Sequence, residues 1–139
     1  MPAPVTPEVL PHVDAVQAAL ETAGLTVYVG GTPASVGWSP PDKFAVLYPD
    51  PGMAVRESLA DERTDFDSTM QITCVGGDAV RALWVADKVR KALAVPLTVD
   101  GRSCWPPEDL GGPPLARDDD VTPPLWFLPV QYRICSTPA

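Results

Sequence analysis

Four sets of side chains in this sequence are of types that could do chemistry: a single histidine (His12), three cysteines (Cys74, Cys104, Cys135), the carboxylate run Asp118-Asp119-Asp120, and the glycine pairs of Gly30-Gly31-Thr32 and Gly76-Gly77-Asp78. A general base needs a nucleophile or acid within reach and a third group to orient it. His12 stands beside Pro11 near the start of a helical pattern, with no Ser-His-Asp or Cys-His arrangement, and reads as a surface or capping residue. Three aspartates could offer oxygen to a hard cation, but consecutive side chains of an extended segment point alternately apart, and EF-hand spacing and its glycine are missing. A solvated or Arg-paired turn beside Arg117 is the expectation there. The cysteines are odd in number and far apart without a C-x-x-C pair, which supports neither a disulfide framework nor a zinc knuckle. Neither glycine pair continues into the Gly-Lys-Ser/Thr of a phosphate loop, and Asp78 puts a carboxylate where a bound anion would sit. No catalytic residue, no metal and no cofactor is expected.

With 139 residues and 45% hydrophobic composition, the chain can bury the core of one domain, taken as 1–139, without covalent or metal support. The formal net charge of −8 argues against phosphate-backbone binding, which needs clustered Lys and Arg. No basic start followed by an apolar stretch marks a signal peptide, and no run is long enough to cross a membrane. Synthesis in the cytosol is expected. Of the 18 prolines, 11 fall in three segments, 31–43, 49–67 and 105–124, which read as stiff, extended loops because Pro fixes φ and restricts its predecessor. Long ordered loops usually exist to touch something.

Between these loops the periodicity is clear. Val9, Val13, Val16, Leu20 and Ala23 fall on one helical stripe and Gly24 follows as a stop, although both Thr6-Pro7 and Pro11 suit the start. LTVYV (25–29) and FAVLY (44–48) read as strands, the second apolar on both faces. Residues 68–75 alternate, with Met70, Ile72 and Cys74 on one side. Asp78 can cap a second helix running to about Leu93. LTVDGRSCW predicts a hairpin at Asp100-Gly101, and LWFLPVQYRICS a last strand that Pro129 makes partly an edge strand or bulged. The fold class is α+β: two helices on a mixed or antiparallel sheet, in the order α-β-β-β-α-β-β-β.

The second helix carries an anomaly. Ala82, Val85, Ala86, Val89 and Leu93 share its apolar face, yet Trp84 and Val80 lie one turn apart among Arg81, Asp87, Lys88 and Lys91. Either Trp84 lies flat under a neighbouring loop, or Val80 and Trp84, rimmed by Arg81 and Lys88, form a subunit contact, since Trp and Arg are enriched at hot spots. On the second alternative Trp84→Ala costs association more than folding. The run Arg56, Glu57, Asp61, Glu62, Arg63, Asp65 and Asp67 reads by itself as a solvated face.

Taken together, DSTMQITCVG, DAVRALWVADKVRKAL and RDDDVTPPLWFLPVQYRICST, in this order of elements, resemble the tail terminator (tail completion) proteins of long-tailed bacteriophages, actinobacteriophage versions in particular. The resemblance spans about Val9 to Ser136. It implies a hexameric homo-oligomer ring in the virion neck that caps the tail tube, ends polymerisation of the major tail protein and meets the head-tail connector or stopper. DNA would pass through its lumen without specific binding. On this resemblance Arg56 to Asp67 face the lumen or tube, and Asp118, Asp119, Asp120 and Trp126 contact the tube or connector. The alternatives are a stopper or connector of the same neck and a small cytosolic module that binds a ligand or peptide.

Overall fold

The computed structural model describes residues 6–56 and 63–139. Helix α1 (Val9–Thr22) holds Pro11 in its first turn, where an N–H would lack an intrahelical partner in any case. It ends as its sequence predicts. Gly24 takes φ +92°, its N–H donates to Glu21 O and that of Leu25 to Leu20 O, the two bonds of a Schellman motif, with Leu25 buried. Four strands follow: β1 (Val27–Val29), β2 (Lys43–Pro49), β3 (Met53–Val55) and β4 (Asp65–Gly76). Helix α2 (Ala79–Ala92) starts at Asp78, whose carboxylate accepts the N–H of Arg81 at 2.8 Å. The chain closes with β5 (Arg102–Cys104), β6 (Glu108–Gly111), β7 (Ala116–Asp118) and β8 (Leu125–Pro138).

One mixed sheet results, in the order β1-β2-β4-β8-β5, parallel only between β1 and β2. The long strands β4 and β8 are its spine, in register from Phe66 opposite Ser136 to Gly76 opposite Trp126. Even-numbered residues of both point toward the helices. Met70, Ile72, Cys74, Val130, Tyr132 and Ile134 thus join Ala45, Leu47, the α1 stripe and Val85, Val89 and Leu93 in the main core. Gly76 lets α2 fold back on its own strand, because a Cβ there would collide with the backbone of Arg81 and Ala82.

Three expectations change. The segment 49–67 is not wholly loop: Met53–Val55 pairs with Asp65–Asp67, so the strand expected at 68–75 begins at Asp65. The segment 105–124 is not wholly loop either. β5, β6 and β7 lie successively along the outer edge of β8, an edge strand interrupted where Pro106-Pro107 and Pro113-Pro114 cannot donate ladder hydrogen bonds. The hairpin at Asp100-Gly101 does not form, although the chain turns there with Arg102 N–H donating to Val99 O. Only Gly101 takes positive φ, whereas the expected two-residue hairpin turn needs it at both central positions. Leu97 and Val99 therefore bury without joining the sheet. Pro129 sits where the edge pairing is broken between β6 and β7, its carbonyl so close to Gly112 that a side chain there would clash.

Candidate functional site

The outward arc of α2 gathers the residues singled out around Trp84. Val80 is 75% exposed, Leu83 47% and Trp84 39%. The Lys43 ammonium, contributed by the start of β2, lies 4.0 Å from the centre of the Trp84 ring, and that of Lys88 lies 5.3 Å away. Such cation–π contacts attract the ammonium groups to the ring and cover part of it. Trp84 is thus more than half covered by its own chain, and Trp84→Ala touches folding as well as any association. Arg81 is turned to internal work: its guanidinium bridges Asp42 at 2.9 Å and Asp78 at 3.1 Å, while Gly77 N–H donates to Asp42 O. This fastens the loop before β2 to the first turn of α2. No feature of the sequence marked Lys43 or Asp42 as neighbours of this helix.

The charged run divides. Glu57, Asp61 and Glu62 lie outside the described residues, while Arg56 and Arg63 are exposed on either side of them. Asp65 and Asp67 are strand residues. Arg133 grips Asp67 with two bonds, Nε to Oδ1 at 3.0 Å and Nη2 to Oδ2 at 2.8 Å, and this pairing holds the Asp67 carboxyl below the usual range. At the other end of the sheet, β7 and β8 bring Asp118, Asp119, Asp120 and Trp126 together, with Arg117 opposite Trp126 and Asp118 opposite Leu125. The carboxylates form an Arg-paired turn. Arg117 meets Asp119 at 2.6 Å and its guanidinium lies 5.6 Å from the Trp126 ring, while Asp118 Oδ1 accepts the N–H of Asp120. Among the described residues no three His, Cys, Asp or Glu side chains are grouped so as to hold a metal ion.

His12 is a correction. It is buried, 1% exposed, and stacks on Phe66 with ring centres 4.0 Å apart. Its Nδ1 donates to Glu8 O at 2.6 Å, which leaves Nε2 to accept the Ser136 hydroxyl at 2.7 Å. Arg102 Nε donates to the same Ser136 oxygen and its Nη2 to the Ser136 carbonyl. A serine and a histidine do meet, contrary to expectation, but the orienting group is a backbone carbonyl rather than a carboxylate, and Ser136 is fully buried. The group clamps α1 to the ends of β5 and β8. Burial, and then Arg102, depress the His12 pKa against the raising effect of the Glu8 carbonyl. Burial likewise pushes the Cys74 thiol up to about 12, which leaves it unreactive.

A further surface lies on the sheet face away from the helices. Phe44, Val46, Tyr48, Val75, Leu125 and Phe127 point that way, and Trp38, Pro40, Val121 and Pro123 rise beside them around an open cleft of about 600 Å³. Tyr28, Trp38 and Phe44 meet edge to face, with ring centres 5.7 to 6.3 Å apart. Toward the other end the same face turns polar: Gln131 donates to Gln71, and Thr69 and Arg133 stand beside them. The signal for this surface was present in FAVLY, a strand apolar on both sides, which requires a second buried layer. What covers it could not be read from one strand.

A solved chain from the virion of a native gene transfer agent particle has this fold, with a TM-score of 0.61 at 16% identity over 92% of this chain and 94% of that one. A second solved chain, whose designation states no function, matches with a TM-score of 0.53 at 17% identity over 90% and 95% of the two chains. No protein-family model and no curated protein matches the sequence. At these identities the likeness establishes the fold. No helix among the described residues is long and apolar enough to cross a membrane.

Proposed function

We propose that this chain is a non-enzymatic structural protein of a phage-like virion, which closes with copies of itself into a ring, caps the tail tube and joins it to the head-tail connector. The observation that carries this reading is the match, along nearly the full length of both chains, to a component of a gene transfer agent virion. The exposed apolar arc of α2 supports it as a subunit contact, with Val80 and Trp84 at its centre and Lys88 at its rim. Arg81 supports the contact indirectly, by pinning the helix end. A hexameric ring, with Arg56 to Asp67 facing the lumen or tube and the turn at Asp118, Asp119, Asp120 and Trp126 toward tube or connector, follows from the resemblance to tail terminators. A net charge of −8 suits a passage through which DNA slides, since an acidic wall repels phosphate. Within the same neck, a stopper or connector would use the same surfaces.

Negative-stain microscopy of the purified protein, alone and mixed with tail tubes, tests the proposal. Discrete closed rings, free or on tube ends, are expected. A protein that stays monomeric in both conditions overturns it. The aromatic cleft favours one rival, a small module that binds a ligand or peptide. A monomer encoded among metabolic genes rather than among tail-tube and head-completion genes would favour that rival.

A further inference from the structure

The two helices cover one face of the sheet; at the apolar end of the other face Phe44, Val46 and Val75 form a small buried cluster with Tyr28, Trp38, Leu125 and Phe127 packed against it, and the cleft beside them stays open. Sheets with an apolar face bury it against another element. At the same end of the sheet, but on the helix side, α2 exposes Val80, Leu83 and Trp84. The two surfaces differ in charge. All three lysines of this acidic chain, Lys43, Lys88 and Lys91, lie on the α2 side: two stand over the Trp84 ring and Lys91 one turn further along the helix. None of them pairs with a carboxylate among the described residues. The cleft is bordered by Asp118, which opens a turn of three carboxylates that faces a single Arg117. Because a copy's own α2 lies on the far side of its sheet, it cannot fill its own cleft.

We propose that α2 of one copy seats on the open sheet face of the next, with Val80 and Trp84 against the aromatic cleft and the lysines facing the turn at Asp118 to Asp120. The inference rests on the ring reading and specifies which two surfaces meet. Each sheet then becomes the middle layer between its own helices and a neighbour's α2. The contact is heterologous, one face against a different one, so it propagates head to tail and closes when the rotation per copy divides a full turn. Opposite charges at the two rims fix the direction.

The test blocks each face separately, under the conditions in which the wild type assembles. Val80→Glu blocks the helix face and Tyr48→Glu the sheet face, at residues 75% and 42% exposed. Each variant alone is expected to be monomeric by mass photometry, and an equimolar mixture to give 1:1 dimers that grow no further, since one good pair of faces remains. Asp120→Lys, on an exposed turn where folding is not at stake, is expected to weaken assembly several-fold at low salt and less at high salt. Tyr48→Glu rings, a monomeric mixture or an Asp120→Lys protein that assembles like wild type would each overturn the assignment of faces. A wild-type chain that is monomeric both alone and on tail tubes overturns the ring reading itself, and the inference with it.

Discussion

Val80 is the cleanest probe of the helix surface, because it is the second residue of α2 and 75% of it is exposed. Full burial of a valine is worth ~1.5–3 kcal/mol, so covering the exposed three quarters would contribute about 1–2 kcal/mol per contact. Val80→Glu forfeits that and adds a carboxylate to desolvate. An equilibrium constant for one contact should fall at least ~5- to 30-fold, and a closed hexamer would lose this at each of its contacts. Folding moves the other way, since a glutamate in the first turn of a helix interacts favourably with the dipole, worth ~0.3–1 kcal/mol. The assay pairs mass photometry over a concentration series with thermal unfolding of the dilute protein: assembly should be lost with an unchanged or slightly raised melting temperature. Rings that persist with Val80→Glu, or a monomer that melts several degrees lower, would refute the reasoning. Trp84→Ala is the contrasting case. The indole is already more than half covered and lies under Lys43, so both melting temperature and assembly should fall.

Other perturbations address the fold that presents these surfaces. The fold holds His12 neutral, with its pKa depressed, so its contribution to stability is complete above the unfolded value of about 6.5 and drains away as pH falls below it. As it is the only histidine, wild-type unfolding free energy should decline from pH 7 to pH 5, and His12→Gln should flatten that slope in urea titrations. Asp67, depressed mainly by Arg133, contributes above its usual carboxylate range and loses this as pH falls through the depressed value; Arg133→Ala should therefore lower stability at pH 7, and by progressively less as the pH falls below the usual carboxylate range. Gly76→Ala places a methyl group into the backbone of Arg81 and Ala82, and should cost about 1–3 kcal/mol in chemical denaturation.

The elements legible in the sequence are those whose evidence is local. The stripe from Val9 to Leu20 with its stop at Gly24, the cap at Asp78, and the alternation through β4 and β8 each rest on a period or a turn residue within one segment, and such patterns decide which side of an element is buried before any partner is known. That β2 is apolar on both sides was legible too, as expected of a central strand. Tertiary structure decided whatever depends on a partner distant in the chain. Met53–Val55 and the pieces from Arg102 to Asp118 are too short and proline-broken to pair on their own propensity, and become strands because β4 and β8 offer them a ladder. His12 lies among helix residues with no signal of its fate, and only Ser136 and Phe66, which face each other across the end of β8 and the start of β4, make its burial tolerable, the one by a hydrogen bond and the other by stacking. Trp84 was visibly out of place in the helical pattern, but its half-covered state was set by Lys43 from another strand. Periodicity fixes the face a side chain presents; what that face meets is a property of the closed fold, where energies between distant segments outweigh local preference.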